Sequence, residues 1–276
     1  MEFQKTLYQT VQEYGLMAKK SLGQNFLLDQ NVTDKIVSLS LGCQGLNDLS
    51  QTTVLEVGPG PGGLTRAILK KNPKVFHLIE KDERFVQIME DLKTQTNAPM
   101  NIFSCDALHF DIQSLKAQNL QIFSNLPYNI SVPLLMMWLK NLKPISAMTL
   151  MFQKEVADRI MAPIKTKDYG RISVISQLLC DIQRLWTLSP SYFTPAPKVS
   201  SSVLLLRPLK IRPSNEEIQK VEKLTALAFS GRRKMIRQSL KSISNIDQIC
   251  EKLHIPTTLR AEEIEPSSYL EIAKLL

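Results

Sequence analysis

Short apolar segments alternate with helical stretches from residue 52 to about residue 152. Each strand-type segment is apolar at consecutive rather than alternate positions, which is typical of strands covered on both faces. The pattern therefore predicts βα repeats that build a mostly parallel sheet flanked by helices. The predicted strands lie at 54–57, 75–80, 101–106, 121–125 and 147–152, and the helices at 32–40, 63–71, 82–92 and 132–142.

The pattern changes after residue 152. Two helical stretches, about 153–161 and 170–180, lead to strand patterns at 184–188 and 201–208. A proline-rich loop joins those two strands, which predicts an antiparallel hairpin that completes the sheet. We thus expect an α/β domain at 1–208, with residues 1–30 as an N-terminal arm.

No strand pattern follows Arg212-Pro213. Ser214 and Glu217 have the spacing of a capping box, which predicts a helix to about residue 229. We therefore expect residues 209–276 to form a small all-α domain.

Composition narrows the class of protein. The chain has 276 residues, of which 43% are hydrophobic and 22% charged, as in soluble globular proteins. No apolar run is long enough to span a membrane or form the core of a signal peptide, so we expect a cytoplasmic protein. The spacing of the cysteines and histidines favours neither a disulfide framework nor a zinc site. The net charge of +8 favours an anionic partner, most often a nucleic acid.

Candidate chemistry begins where the first predicted strand ends, in the sequence VGPGPGGLT. Glycines such as Gly58 and Gly60 allow a ligand close to the backbone, and a helix N-terminus offers free N–H groups. Glu80 ends the second strand, where a carboxylate can accept ribose hydroxyls, and Asp106 ends the third, where it can accept an adenine amine. The set predicts a pocket for NAD or S-adenosylmethionine. The simpler alternative is that the glycines only form a tight strand-to-helix turn and that Asp106 only caps a turn.

The tetrapeptide Asn125-Leu126-Pro127-Tyr128 follows the fourth predicted strand. Here the chain resembles class I S-adenosylmethionine-dependent methyltransferases of adenine amines, whose fourth strand ends in (N/D/S)-x-P-(Y/F). The resemblance implies that the Asn125 side chain and the Leu126 carbonyl accept the hydrogens of N6, because that amine is a poor nucleophile while its lone pair is delocalised. Pro127 would stiffen the turn and Tyr128 would stack on an extruded base, contributing about 1–3 kcal/mol. The alternative is a plain β-turn.

The resemblance then narrows to the ribosomal RNA adenine dimethyltransferases, most of all to the small-subunit (KsgA-type) enzymes. It rests on seven ordered blocks: GQNFL (23–27), the glycine loop, NLPYNIS (125–131), QKEVADR (153–159), YGRIS (169–173), FTPAPKV (193–199) and RRKMIRQSL (232–240). It implies a Rossmann-like fold and a cofactor site formed by Asn25, Leu27, Gly58, Gly60, Glu80, Asp106 and Asn125. The role of Ser200 stays open, because the family often has an acidic residue or Asn there.

The implied activity is dimethylation of N6 on two adjacent adenosines near the 3′ end of small-subunit (16S) rRNA during ribosome biogenesis. S-adenosylmethionine is the implied methyl donor. We expect a monomer that acts on a 30S assembly intermediate.

Phe193 lies in a loop braced by prolines, which restrict its position. We expect its ring to close over the second face of a base stacked on Tyr128. The alternative is an ordinary hydrophobic anchor for the loop.

The last domain concentrates basic residues, and phosphate binding is the functional interpretation. On a helix, Arg233, Arg237 and Lys241 would share one side, opposite the apolar Ile236 and Leu240. A solvated helix face is the alternative. The predicted RNA-binding residues are Arg232, Arg233, Lys234, Arg237 and Lys241.

Three rival functions remain from sequence. A large-subunit rRNA dimethyltransferase of the antibiotic-resistance kind would share the glycine loop and the proline-rich loop, although those enzymes usually have Ile at the position of Leu126. An NAD-dependent oxidoreductase would share the nucleotide pocket, but it gives no reason for the Asn-Leu-Pro-Tyr sequence. A non-catalytic binder of ribosomes or nucleic acid is the third.

Overall fold

The structure is a computed structural model that describes residues 3–16, 25–231 and 233–276. Its strands are β1 Phe26–Leu27, β2 Thr53–Val57, β3 Val75–Glu80, β4 Met100–Ser104, β5 Leu120–Asn125, β6 Ile145–Gln153, β7 Cys180–Leu188, β8 Phe193–Thr194 and β9 Ser201–Pro208. Its α-helices are α1 Leu7–Glu13, α2 Gln30–Gln44, α3 Gly63–Leu69, α4 Glu83–Lys93, α5 Tyr128–Leu139, α6 Lys154–Ile160, α7 Arg171–Leu179, α8 Asn215–Ala228, α9 Ile236–Ser239, α10 Ile246–Lys252 and α11 Pro266–Lys274.

The chain forms two compact units, residues 1–154 with 183–207, and residues 155–182 with 208–276. The sequence pattern predicted instead that residues 155–182 belong with the first domain. They group with the C-terminal helices because α7 packs against both α8 and α11. The second unit therefore begins earlier in the chain than the predicted boundary near 208.

The first unit is built on a seven-stranded sheet with the order β4-β3-β2-β5-β6-β9-β7. The strands β2 to β6 pair in parallel, and β9 pairs antiparallel with β6. The predicted α/β class and mostly parallel sheet are confirmed. The central strands are fully buried at positions such as Val54, Leu55 and Ile122, as expected for a sheet covered on both faces.

A second, two-stranded ribbon lies outside this sheet. In it β1 pairs antiparallel with β8, so that Leu27 lies opposite Phe193 and Phe26 opposite Thr194. The ribbon joins the segment before α2 to the proline-rich loop. It places two distant parts of the sequence side by side next to the first turn of α3.

The second unit has a core of buried aromatic rings. The hydroxyl of Tyr169 donates to the carbonyl of Ile264 at 2.9 Å, and that of Tyr269 donates to Ala261 at 2.8 Å. Both tyrosines are fully buried, so these bonds satisfy hydroxyls that water cannot reach. Ser214 caps α8 with the reciprocal Glu217 bond that the sequence predicts. None of the α-helices in the described residues is long and apolar enough to cross a membrane.

The predicted helix through the basic cluster is wrong. α9 covers only Ile236–Ser239, because Met235 has extended backbone and bridges to Arg260. Ile236 is buried as expected, but Arg233 and Lys241 lie in turns on either side of α9 and do not share a helix face with Arg237.

One close backbone contact provides a test of how the first unit is assembled. A Cβ at Gly63, in the first turn of α3, would lie 2.6 Å from the carbonyl oxygen of Leu27. We expect Gly63→Ala to lower the free energy of unfolding by about 1–3 kcal/mol, the usual cost of overpacking. Urea unfolding followed by circular dichroism measures the change.

Gly42 offers a matched control, because it lies in α2 and a Cβ there would meet no atom within 4 Å. Gly42→Ala should leave stability unchanged or raise it by about 0.4–1 kcal/mol. Equal effects of the two substitutions would show that the contact between Gly63 and Leu27 does not constrain the fold.

Candidate active site

A cleft opens at the carboxyl ends of β2, β3 and β5, within the first unit. Parallel strands end at the same edge of a sheet, which is where open α/β folds bind ligands. The cleft brings together ten of the predicted site residues: Asn25, Leu27, Gly58, Gly60, Glu80, Asp106, Asn125, Leu126, Pro127 and Tyr128.

The glycine loop between β2 and α3 forms one wall of the cleft. Gly58 and Gly60 have φ angles of 69° and 54°, a left-handed conformation that other residues adopt only with strain. The N–H of Gly58 donates to the carbonyl of Ile79 at 2.9 Å, which ties the loop to the end of β3. The loop therefore presents backbone, without side chains at these two positions, to the cleft.

Glu80 ends β3 with a carboxyl that is almost fully buried. Its Oε1 accepts the N–H groups of Lys81 and Asp82, both at 2.9 Å, and its Oε2 accepts that of Gly60 at 3.3 Å. Burial raises the pKa of Glu80, while these backbone N–H donors oppose the shift. The three bonds fix the orientation of the carboxyl group beside the glycine loop.

Asp106 lines the cleft and also caps a turn, so its position is compatible with both roles weighed from sequence. Its Oδ1 accepts the N–H of Leu108 at 3.0 Å, and its Oδ2 lies 3.2 Å from the Lys81 ammonium. The bond from Leu108, and after it Lys81, lowers the pKa of Asp106 below its ordinary value. Asp106 is therefore a fixed, charged acceptor at the rim.

Asn125 ends β5, and its amide is oriented by a distant part of the chain. Its Nδ2 donates to the carbonyl oxygen of Asn25 at 3.1 Å. A carbonyl can only accept, so the amide nitrogen must face Asn25, which leaves Oδ1 available as an acceptor in the cleft. Nearby, the hydroxyl of Ser124 donates to the carbonyl of Val57 and holds the ends of β5 and β2 together.

Tyr128 begins α5 and presents a half-buried ring to the cleft. Its hydroxyl is hydrogen-bonded to that of the buried Ser201 at 2.9 Å. Burial raises the pKa of Tyr128, so the phenol stays neutral. Ser201 was not among the residues predicted from the sequence, although it directly follows Ser200, whose role was left open.

Phe193 does not line the cleft. Its side chain is 4% exposed and belongs to the hydrophobic core of the first unit, opposite Leu27 in the β1–β8 ribbon. This placement favours the alternative interpretation, in which Phe193 anchors the proline-rich loop.

Glu56 lines the cleft but was not predicted from the sequence as a site residue. It is 1% exposed within β2, and its Oε2 accepts the hydroxyl of Thr65 at 2.7 Å. Burial, and to a smaller extent the charge of Glu80, raises the pKa of Glu56 to about 8. The only sequence signal is a single acidic residue inside an otherwise apolar strand.

Within the described residues, no group of three or more His, Cys, Asp or Glu side chains is arranged to hold a metal ion. The side chains that line the cleft include carboxyl, amide and aromatic groups among apolar ones, placed around a backbone loop. The cleft is therefore suited to an organic ligand that carries hydrogen-bond donors and a flat ring.

Comparison with known proteins gives consistent matches over most of the chain. The model of the family described as ribosomal RNA adenine dimethylase matches residues 15–276. A protein named ribosomal RNA small subunit methyltransferase A from Wolbachia sp. subsp. Drosophila simulans is 41% identical over 95% of each chain. The protein of the same name from Caulobacter vibrioides is 43% identical over 94% of this chain and 97% of its own.

Solved structures share the fold. A dimethyladenosine transferase from Plasmodium falciparum has a TM-score of 0.70 and 22% identity, covering 88% of this chain and 94% of that one. The 23S rRNA methyltransferase ErmE has a TM-score of 0.67 and 22% identity, covering 91% and 98%. At this identity the similarity establishes the fold alone.

The raised pKa of Glu56 predicts a pH-dependent contribution to stability. Between its ordinary pKa of 4.5 and about 8, the buried carboxyl binds a proton that the unfolded chain has lost. The free energy of unfolding of the parent should therefore fall, relative to Glu56→Gln, by about 1.4 kcal/mol per pH unit over this range. Urea unfolding of both proteins at several pH values from 5 to 8.5 is the measurement. A difference that does not vary with pH would mean that Glu56 is ionised in the folded protein.

Proposed function

Because the chain belongs to the ribosomal RNA adenine dimethylase family, we propose that its cleft is where S-adenosylmethionine and an adenine of rRNA meet. The protein is a methyltransferase of the S-adenosylmethionine-dependent class that dimethylates adenine in small-subunit rRNA. The finer proposal is that the substrate is two adjacent adenosines near the 3′ end, methylated by a monomer on a 30S assembly intermediate in the cytoplasm. The observation that carries the proposal is the orientation of Asn125 at the end of β5.

The residues of the cleft fit the cofactor. Glu80 is a fixed carboxyl group that can accept a ribose hydroxyl, and Asp106 is a charged acceptor for an adenine amino group. Ile79 and Phe85 contribute apolar side chains to the wall of the cleft, and Gly58 allows the cofactor to approach the backbone closely. When bound, S-adenosylmethionine supplies an electrophilic methyl group.

The chain's own residues activate the target amine. Asn125 Oδ1 and the carbonyl oxygen of Leu126 accept the two hydrogens of N6 and hold them out of the ring plane, which localises the nitrogen lone pair. The methylated amine is acidic and loses its proton to water, so no strong general base is required. Pro127 precedes α5 with a fixed φ and thus restricts the direction of the Leu126 carbonyl.

Tyr128 holds the target base by stacking, with its ring kept in place by Ser201. Phe193 acts on the cleft through another residue. It supports Leu27 in the β1–β8 ribbon, and Leu27 lines the cleft beside Asn25. In this proposal Phe193 is a positioning residue.

The second unit supplies basic residues for rRNA phosphates. Arg233, Lys234, Arg237 and Lys241 are all exposed, although they do not form one helix face. Arg232 lies outside the described residues. Exposed cations close together in the chain are suited to contacts with RNA phosphates.

The first test is product formation by Asn125→Ala. The hydrogen bonds that Asn125 accepts from N6 strengthen as the amine leaves planarity. Without them we expect turnover to fall by two orders of magnitude or more, whereas the affinities for cofactor and RNA should change much less. Labelled S-adenosylmethionine is incubated with undermethylated small subunits, and mass spectrometry of the rRNA nucleosides quantifies dimethyladenosine. Large subunits assayed in parallel test the rival substrate. Unchanged turnover by Asn125→Ala with both substrates saturating would refute the proposed activation.

The second test concerns the basic cluster. Joint replacement of Arg233, Arg237 and Lys241 by Ala should weaken RNA binding and flatten the slope of log affinity against log salt by about 2–3 units. Calorimetric affinity for S-adenosylmethionine should stay at the parent value, because the cleft lies in the first unit. An unchanged salt slope would show that these residues are only solvated.

A further inference from the structure

Two aromatic rings form a partly exposed pair on the surface of the first unit. Trp186 on β7 is half-buried and packs on the hydrophobic core, while Tyr192 in the proline-rich loop is 39% exposed. Their ring centroids are 5.5 Å apart with an interplanar angle of 61°, an edge-on arrangement. The core contact fixes Trp186, and Trp186 in turn supports Tyr192, so that an aromatic ring is held at the surface.

A cation completes this feature. The ammonium of Lys35, an exposed residue of α2, lies 4.3 Å from the centroid of the Trp186 ring. We call Lys35, Trp186 and Tyr192 the aromatic ledge.

The surroundings of the aromatic ledge favour an anion. The segment 183–207, which carries both rings, contains no Asp or Glu but does contain the exposed Lys198. Exposed aromatic rings interleaved with cations are what single-stranded nucleic acids bind, through stacking and phosphate contacts.

The chain connects the aromatic ledge to the wall of the cleft through the β1–β8 ribbon. Tyr192 directly precedes Phe193, which pairs with Leu27, and Leu27 lines the cleft. An RNA strand with one base extruded into the cleft must lead away from it through neighbouring nucleotides. Tyr192 is next in the chain to the ribbon that contributes Leu27 to the cleft.

We propose that the aromatic ledge binds an unpaired nucleotide next to the target adenosine, with its base stacked on Tyr192, which Trp186 supports, and its phosphate neutralised by Lys35. The inference rests on the proposed function and adds to it a subsite outside the cleft. It makes the enzyme select for single-stranded RNA around the target, because a paired base cannot reach the rings.

The two tryptophans allow a direct test. Trp138 is 1% exposed, so only Trp186 can respond to a ligand at the surface. A single-stranded oligoadenylate should quench the protein's tryptophan fluorescence saturably, and an RNA duplex of equal length should quench it much less. Trp186→Phe should abolish the response, which assigns the signal.

Affinity measurements then separate the subsite from the rest of the enzyme. Tyr192→Ala should weaken oligoadenylate binding roughly 5- to 150-fold, the range that corresponds to one stacked base. Lys35→Ala should weaken it and lower the salt slope by about one unit. Tyr8→Ala is the matched control, because Tyr8 is 62% exposed on α1 and lies outside the aromatic ledge. Affinity for S-adenosylmethionine should be the same in all of these variants.

Failure of this inference can be told apart from failure of the proposed function. Methylation of small subunits by the parent, without fluorescence quenching by RNA and with parental RNA affinity in Tyr192→Ala, would overturn the subsite and leave the function intact. Quenching by a ribosomal protein but not by RNA would overturn it in favour of a protein contact. Quenching by single-stranded RNA in a parent that methylates no rRNA would support the subsite and overturn the function.

Discussion

The parallel pairing of β2 with β3 on one side and β5 on the other is the constraint on which the site depends. In this register Val57 lies opposite Ile79, and Glu56 lies opposite both Leu78 and Phe123. The glycine loop follows β2, Glu80 ends β3 and Asn125 ends β5, so these three groups meet at one edge of the sheet. A shift of one residue in either pairing would turn every side chain to the opposite face of its strand and separate the three groups.

The electrostatics of the cleft depend on two buried carboxyl groups, Glu80 and Glu56, which differ in their hydrogen-bond donors. Glu80 accepts three backbone N–H groups, which partly offset the cost of burying its charge. Glu56 has only the hydroxyl of Thr65 and a pKa of about 8, so it is mostly protonated at neutral pH. Both carboxyl groups line the cleft, Glu80 with three backbone donors and Glu56 with one hydroxyl donor, and the protonated state of Glu56 keeps negative charge away from Glu80.

Features encoded locally could be predicted from the sequence. The strands, the capping box at Ser214 and the residues at the strand ends follow from short patterns, whereas Asn25 and Leu27 were predicted from the family resemblance. The contacts that cross the chain could not be predicted. The bond from Tyr128 to Ser201 and the packing of α7 with α11 depend on tertiary arrangement that no short pattern encodes. The predicted helix through the basic cluster was wrong for the same reason, because the β-bridge between Met235 and Arg260 interrupts a segment whose spacing is helical.

The orientation of the Asn125 amide depends on segments that are distant in the sequence. The carbonyl that fixes it belongs to Asn25, and the backbone there is held by β1, which pairs with β8 and touches Gly63 at the start of α3. Because Phe193 is buried in β8 and β8 pairs with β1, the proline-rich loop is connected to the backbone that holds the Asn125 amide. In the proposed mechanism the loop and the glycine loop therefore influence the target amine through the hydrogen bond from Asn125 to Asn25. A substitution in either should reduce turnover through misorientation of Asn125 even where the cofactor contacts remain intact.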